Sequence, residues 1–321
     1  MKKVIATSLI IMITMLFVVS PVAAKPDVTL WHVPGDFATI QDAIDSPDVH
    51  NGDKIMVGAG NHAGAVVTKS VVIKGTDGAT ITSGVPYRSG STYETAFLLD
   101  TGSDGVEISH LIIANDATSL FFFAVFSRGI DDVSIHHLVV TNSVQAISNY
   151  NGSGWDISYN RITGTNPVNG GGIGIMVNAW DGTSDNITDT TVANDNVITH
   201  NYTEGAVGDV GYSGPGILLS SGHGSYQYPG GTLTGNIVYK NKCVHTGTNG
   251  YGFEVDDVPY ELTGTAAITG NTVAFNDFRG STYAIVWYGD ETLNSVSRNF
   301  IDQASDRGEG KDGLTPHEIF H

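Results

Sequence analysis

The sequence predicts an all-β solenoid, and three observations carry that prediction. The first is a short phrase that recurs seven times between residues 96 and 291: a small residue, apolar residues at alternate positions, then a polar turn. Its copies are Ala96-Phe97-Leu98-Leu99-Asp100, Ala124-Val125-Phe126-Ser127, Ala146-Ile147-Ser148-Asn149, Gly174-Ile175-Met176-Val177-Asn178, Gly216-Ile217-Leu218-Leu219-Ser220, Gly252-Phe253-Glu254-Val255-Asp256 and Ala284-Ile285-Val286-Trp287-Tyr288. The second is their spacing, 28, 22, 28, 42, 36 and 32 residues from start to start. A strand this short cannot bury its own apolar face, so copies at such spacing stack and share a core, with surplus residues in loops. The third is composition. Forty glycines in 321 residues and only 15% charged side chains describe short strands joined by tight turns, and 40% hydrophobic residues are enough to fill a core.

Residues 1–24 read as a signal peptide. Lys2 and Lys3 precede an uncharged apolar run from Val4 to Val19, and Val22-Ala23-Ala24 supplies a cleavage site. The run is near the lower limit for crossing a bilayer, so an uncleaved membrane anchor is the alternative. The released chain would start near Lys25 and form one elongated domain, secreted or at the cell surface, or periplasmic in a cell with an outer membrane. Cys243 is the single cysteine, which excludes an intrachain disulfide. Asn151, Asn186 and Asn201 open Asn-x-Ser/Thr triplets that are candidate glycosylation acceptors. Setting aside Lys2 and Lys3 leaves 33 acidic against 13 basic side chains, a formal charge of −20. That field excludes nucleic acid and anionic lipid as partners, and leaves membrane contact only to an uncleaved leader. An acidic polysaccharide would need a bridging divalent cation.

Residues 25–75 form an N-terminal cap and the first coils. Trp31-His32-Val33 is a strand and Pro34-Gly35-Asp36 a turn. Thr39-Ile40-Gln41-Asp42 has the form of a capping box, with Ile40, Ala43 and Ile44 on one face of a short helix that Pro47 stops. Laid across the first coil, such a helix covers the exposed end of the core. Residues 76–303 are the repeating body. Residues 304–321 lack its alternation and form a tail.

Two sets of residues carry a resemblance. Val33-Pro-Gly-Asp-Phe-Ala-Thr-Ile-Gln-Asp-Ala-Ile44, Gly52-Asp-Lys-Ile-Met-Val57 and Val71-Val-Ile-Lys-Gly75 resemble the start of pectin-lyase-like right-handed parallel β-helices, pectin methylesterases among them. Asn160, Asn196, Asn236, Asn271 and Asn299 resemble one column of the inward asparagine ladder of that superfamily, with Leu111 and Leu138 at the equivalent place in earlier coils. The resemblance spans residues 30 to 303. It implies a right-handed parallel β-helix of about eight to ten coils with a short N-terminal capping helix. It implies no single activity, because lyases, hydrolases, esterases, epimerases and proteins without known chemistry share the superfamily.

Alternation assigns the outward residues. With Ile175, Ile217, Phe253 and Ile285 inside, Met176, Leu218, Glu254 and Val286 point out, beside Asn178, Ser220, Asp256 and Tyr288. Trp180, Asp181, His223, Asp257, Asp290 and Glu291 lie just beyond. Flat rings for stacking and carboxylates for hydroxyls or a cation are what a sugar-binding groove uses. The substrate-binding candidates are therefore Asn178, Trp180, Asp181, Glu254, Asp256 and Tyr288. Glu254, Asp256, His223 and Arg279 are the catalytic candidates, Arg279 being the arginine placed to reach this patch as a base. Glu254, Asp256, Asp257 and Asp290 offer hard oxygen ligands to Ca²⁺.

Gly222-His223-Gly224 matches a short signature of polygalacturonases, but the Asp pair and the Arg-x-Lys that complete that site are missing, so a structural turn is expected. Ser143-Val-Gln-Ala-Ile147 shares one glutamine motif with pectin methylesterases, whose Phe-Ile-Phe-Gly and Arg-Pro-Trp segments are absent. Trp155 and Trp287 fall at inward positions. His136-His137 and the other histidines of the repeating body show no His-x-His or His-x₃-His spacing, so no dedicated transition-metal site is expected there. Two functions fit. One is an exported protein that binds or processes an extracellular polysaccharide, as a lyase or hydrolase if catalytic. The other is a non-catalytic structural or adhesive protein of the surface or envelope. A periplasmic metal-handling β-helix has little support from the histidine pattern.

Overall fold

Short alternating strands stack in register along the whole body. The structure, a computed structural model, describes residues 28–114, 121–167, 171–182, 190–205, 214–223, 227–247 and 250–302. The leader, the tail and the triplet at Asn186 lie outside the described residues. Three long parallel sheets make up the coil. The first runs from Leu30–Val33 through Lys54–Val57 and Val72–Gly75 to Ser295–Ser297, ten strands in all. The second holds seven, from Gly60–Ala63 to Lys242–Val244. The third carries the repeated phrase, from Ala65–Val67 and Glu94–Leu99 to Tyr251–Asp257 and Tyr283–Tyr288. The chain visits the three sheets in turn and returns to the first one coil further on, a right-handed parallel β-helix.

In the third sheet Phe97, Val125, Ile147, Ile175, Ile217, Phe253 and Ile285 pair across successive strands as one inward column. Leu98, Phe126, Ser148, Met176, Leu218, Glu254 and Val286 form the adjacent outward column. The uneven spacing of the copies thus falls in the connections and leaves register untouched. The small residue that opens each phrase has a steric cause. A Cβ on Gly216 would lie 2.6 Å from the Cβ of Cys243 and 2.8 Å from the carbonyl oxygen of Gly252, where the coils approach closely. The helix α1 (Ile40–Asp45) has both hydrogen bonds of the Thr39/Asp42 capping box, and its Ile40, Ala43 and Ile44 are buried in the same core as the sheets.

The asparagines correct one expectation. They form two ladders, where one column was expected, because each short first-sheet strand has an inward turn at both ends. Asn196, Asn236, Asn271 and Asn294 line the turn entering the strand; Asn160, Asn201, Asn241, Asn276 and Asn299 line the turn leaving it. Each rung repeats one pattern. The Asn196 backbone N–H and side-chain amide both donate to Oδ1 of Asn236 at 2.9 Å, and the Asn236 amide donates to the Ala193 carbonyl. Buried Asn149 starts the first ladder by donating to Oδ1 of Asn196. Leu138 occupies the second corner one coil earlier, where its N–H donates to Asn160 Oδ1. Asn201 is buried with its amide committed to Ile157 and Asn241, which leaves no room for a glycan on that triplet.

At this second corner the residue before the ladder position takes a left-handed backbone. His110, His137, Tyr159, His200, Lys240, Phe275 and Arg298 all have φ between 54° and 58°. Their rings stack from coil to coil, His110 on His137 at 4.8 Å, His137 on Tyr159 at 5.2 Å and Tyr159 on His200 at 4.8 Å. Stacking offsets part of the backbone strain, which is about 1–2 kcal/mol per left-handed residue.

His245 is fully buried in the second-sheet wall, with Nδ1 donating to the Gly214 carbonyl and Nε2 accepting from Thr203 Oγ1. Burial pushes its pKa down to about 4. The unfolded chain therefore binds the extra proton between pH 6.5 and 4, and stability falls as pH drops through that window. The loss is roughly 3 kcal/mol once pH is below both values. Replacing His245 with Gln should remove this component from the pH dependence of urea unfolding. In the ladder, Asn236→Ala leaves both Asn196 donors without an acceptor, and urea unfolding should show a loss of about 3 kcal/mol.

Candidate functional site

The outer face of the third sheet differs from a solvated row. Phe123, Phe126, Tyr150, Ile173, Met176, Trp180 and Leu218 form a second apolar cluster there, against which Tyr87, Leu98 and Phe122 pack. Phe123 stacks on Phe126 at 4.3 Å, and Phe126 meets Tyr150 edge-on at 5.4 Å. The Arg128 guanidinium lies over the rings of Phe126 and Tyr150 and donates to the Asp181 carbonyl at 2.6 Å. A run of rings and a register irregularity between Phe121 and Phe123 explain this bed, with Phe121 in the core and Phe122, Phe123 and Phe126 outside. Phe121-Phe122-Phe123-Ala124-Val125-Phe126 places large rings on both faces of one strand, so the outward ones need cover as well. That run was the legible signal for an aromatic outer wall.

Cover comes from segments that fold back on the sheet. Val85–Pro86 pairs antiparallel with Thr95 and Glu94, and Tyr228–Pro229 pairs antiparallel with His223 and Gly222. The helix α2 (Val258–Thr263) lies against Ile217–His223 and Tyr283–Tyr288. Tyr93 and Tyr228 remain exposed at the rim.

The sequence candidates divide by position. Asn178, Ser220, Asp256 and Tyr288 pair in one column, with Glu254 on the same face two residues from Asp256. Glu254 is only 7% exposed, and Asn178 is fully buried, exchanging hydrogen bonds with Gly222 and donating to the Tyr150 phenol. Trp180 meets His223 at 5.2 Å and Tyr228 at 6.0 Å, and His223, with Gly222 at the end of the strand Ile217–His223, pairs with Tyr228; Gly224 lies outside the described residues. Burial, reinforced by the charge of Glu254, pushes the Tyr251 phenol up to about 12. Tyr288 is raised further by burial and then by Tyr251 and Glu254, and donates its proton to Tyr251. Both phenols are donors at neutral pH.

The remaining candidates are committed elsewhere. Asp257 is fully buried and caps α2: one oxygen accepts from the Tyr260 N–H at 3.1 Å, the other from Ala267 and Ile268 at 2.9 Å each. Burial outweighs these donors and raises its pKa. Such an oxygen set does not fit a Ca²⁺ ligand, which needs its lone pairs free. Asp290 caps the single turn Glu291–Leu293, with Oδ1 accepting from the backbone and hydroxyl of Thr292. Arg279 grips both oxygens of Asp277 and lies over Phe300, so its guanidinium is paired away from Glu254 and Asp256. Trp155 is in the core, donating to the Ile130 carbonyl. The surviving constellation is Glu254, Asp256, Tyr251 and Tyr288 at one end of the outer face, and Trp180, His223 and the phenylalanine bed along the rest.

No family model matches this chain, and no curated protein matches it. Solved structures do. One is the catalytic domain of a GH87 α-1,3-glucanase in complex with tetrasaccharides, with a TM-score of 0.55 and 18% identity over 88% of this chain. This chain spans 46% of that protein's length. Another is the alginate lyase from Paenibacillus sp. str. FPU-7, with a TM-score of 0.51 and 16% identity, covering 82% of this chain and 92% of that one. At this identity the likeness concerns the fold. The three stacked parallel sheets and these neighbours place the chain in the right-handed parallel β-helix fold.

Proposed function

We propose that this is an exported protein that binds or processes an extracellular polysaccharide, or a polysaccharide-containing envelope component, along the outer face of its third sheet. The observation that carries the proposal is the continuity of that face. Leu98, Phe126, Met176, Leu218 and Glu254 lie on strands of one sheet, with the rings of Tyr87 and Trp180 clustered on the apolar part and Asp256, Tyr251 and Tyr288 beside Glu254. At about 4.8 Å per strand the row from Leu98 to Val286 is roughly 30 Å long; its middle is buried, so a polymer would meet it along the rim, where Tyr93 and Tyr228 are exposed. The Tyr251 phenol can donate to sugar hydroxyls or carboxylates while Tyr288 donates to it, and the two acidic side chains accept. The fold likeness to a glucanase and an alginate lyase supports a carbohydrate ligand.

If cleavage takes place, Glu254 and Asp256 are the pair for acid–base work, with His223 beside Trp180 as the third titratable group. Two observations favour binding without cleavage. The phenols are held protonated, and Arg279 is occupied by Asp277. With a formal charge of −20 on the exported chain, an acidic polymer would need a cation such as Ca²⁺ between Glu254 or Asp256 and its own carboxylates.

A glycan array, with reducing-sugar and unsaturated-product assays run with and without Ca²⁺, tests this reading. Retention of a polysaccharide is the expected result, and silence on the array would overturn the proposal. Glu254→Gln combined with Asp256→Asn should weaken that binding tenfold or more, about 1.4 kcal/mol, with thermal unfolding nearly unchanged. By contrast, Asp257→Ala removes the acceptor of three backbone N–H groups and should lower stability by about 2–4 kcal/mol in urea unfolding.

A further inference from the structure

We propose that His110, His136 and His137 form a binding site for a first-row divalent transition-metal ion, Zn²⁺ being the reference case, at the corner between the first and second sheets. This site is separate from the third-sheet face and does not depend on the polysaccharide reading. The three side chains come from two consecutive coils, which is why spacing along the chain did not reveal them. Strands Glu107–Ser109 and Ser134–His136 pair with Ser109 opposite His136, so the turn residues His110 and His137 fall one above the other.

One ligand atom from each of the three lies within 4.8 Å of the other two. The Nδ1 atoms of His136 and His137 are 2.9 Å apart. Zn–N bonds of about 2.0–2.1 Å in a tetrahedral site put nitrogen ligands roughly 3.4 Å from one another, so modest side-chain rotation closes the set. Glu107 supplies the orienting partner. Its Oε1 lies 3.2 Å from His136 Nε2, and an Nε2–H donated to that carboxylate leaves Nδ1 as the lone pair that faces His137. This is the carboxylate–histidine arrangement that makes imidazole a better ligand.

The backbone holds the rings in place. His110 and His137 have φ of 57° and 55°, and His137 is stacked between His110 and Tyr159. Imidazole nitrogens select Zn²⁺, Ni²⁺ or Cu²⁺ over Ca²⁺ and Mg²⁺. Three protein ligands leave a fourth position for water or an outside ligand. The His110 and His137 rings are 9° from parallel, and a metal lies in the plane of each ring it binds. Binding therefore tilts the exposed His110 ring out of the stack.

The test is a Co²⁺ titration of the untagged protein followed by visible absorption, with Zn²⁺ competition. One equivalent of Co²⁺ with ligand-field bands, displaced by Zn²⁺, is expected. Asparagine tolerates the left-handed backbone, so His110→Asn and His137→Asn preserve the corner. Each should weaken Zn²⁺ binding by about tenfold or more, and Glu107→Gln by about 10- to 100-fold. His110→Asn, His136→Ala and His137→Asn together should abolish it while metal-free thermal unfolding stays close to that of the parent. Absence of ligand-field bands in the parent would overturn the proposal, as would unchanged stoichiometry and affinity in the triple variant.

Discussion

Hydrogen bonding from one coil to the next is the constraint on which the rest of the molecule depends. Apart from the two antiparallel flaps, the strands find their backbone partners in the coils above and below, and the two asparagine ladders extend that dependence to the corners. An amide buried without a partner is expensive, so the ladders hold each corner to one geometry. The same rule keeps the sheets flat enough for side chains of successive coils to lie directly over one another. The outward column from Leu98 to Val286 and the ring stack from His110 to His200 are both products of that alignment.

The two outward rows have different chemistry because different neighbours cover them. On the third sheet, antiparallel flaps and α2 lie over the row, and burial pushes its phenols towards permanent protonation. At the corner between the first and second sheets, His110, His137 and Tyr159 remain exposed, ordered by ring stacking and by the contact of His137 with His136. Buried acids and phenols favour recognition of a neutral or hydroxyl-rich surface, whereas exposed imidazoles favour an ion from solution.

The solenoid was legible because the inward column is apolar in every coil whatever the loop length. Phe97, Ile147, Ile217 and Phe253 therefore stand out at irregular intervals. The ladders were half legible. Both corners place an asparagine near a β-branched residue, so Asn160 and Asn299 merged with Asn196, Asn236 and Asn271, and Asn201, Asn241 and Asn276 escaped notice. The outward register of Glu254, Asp256 and Tyr288 followed from alternation alone. Their burial did not, because the flaps that cover the sheet pair antiparallel and carry no repeat. Asp257 looked like a ligand and is a helix cap, since a carboxylate before Val258-Pro259 serves backbone N–H groups first. The histidine cluster was hidden because stacking depends on coil length, and coils of unequal length conceal which residues meet.

The leucine corners impose a direction on the coil. Leu138 can donate its N–H to the asparagine of the following coil, but it has no side-chain amide oxygen to offer the coil before it. A leucine coil is therefore compatible with an asparagine neighbour on its C-terminal side only. Transposing the coil of Leu138 to a place between Asn201 and Asn241 would strand the donors of Asn201, whereas duplicating an asparagine coil in situ would leave every amide matched. The molecule can thus lengthen by copying modules from its C-terminal half, while its N-terminal modules are confined to the beginning of the rod.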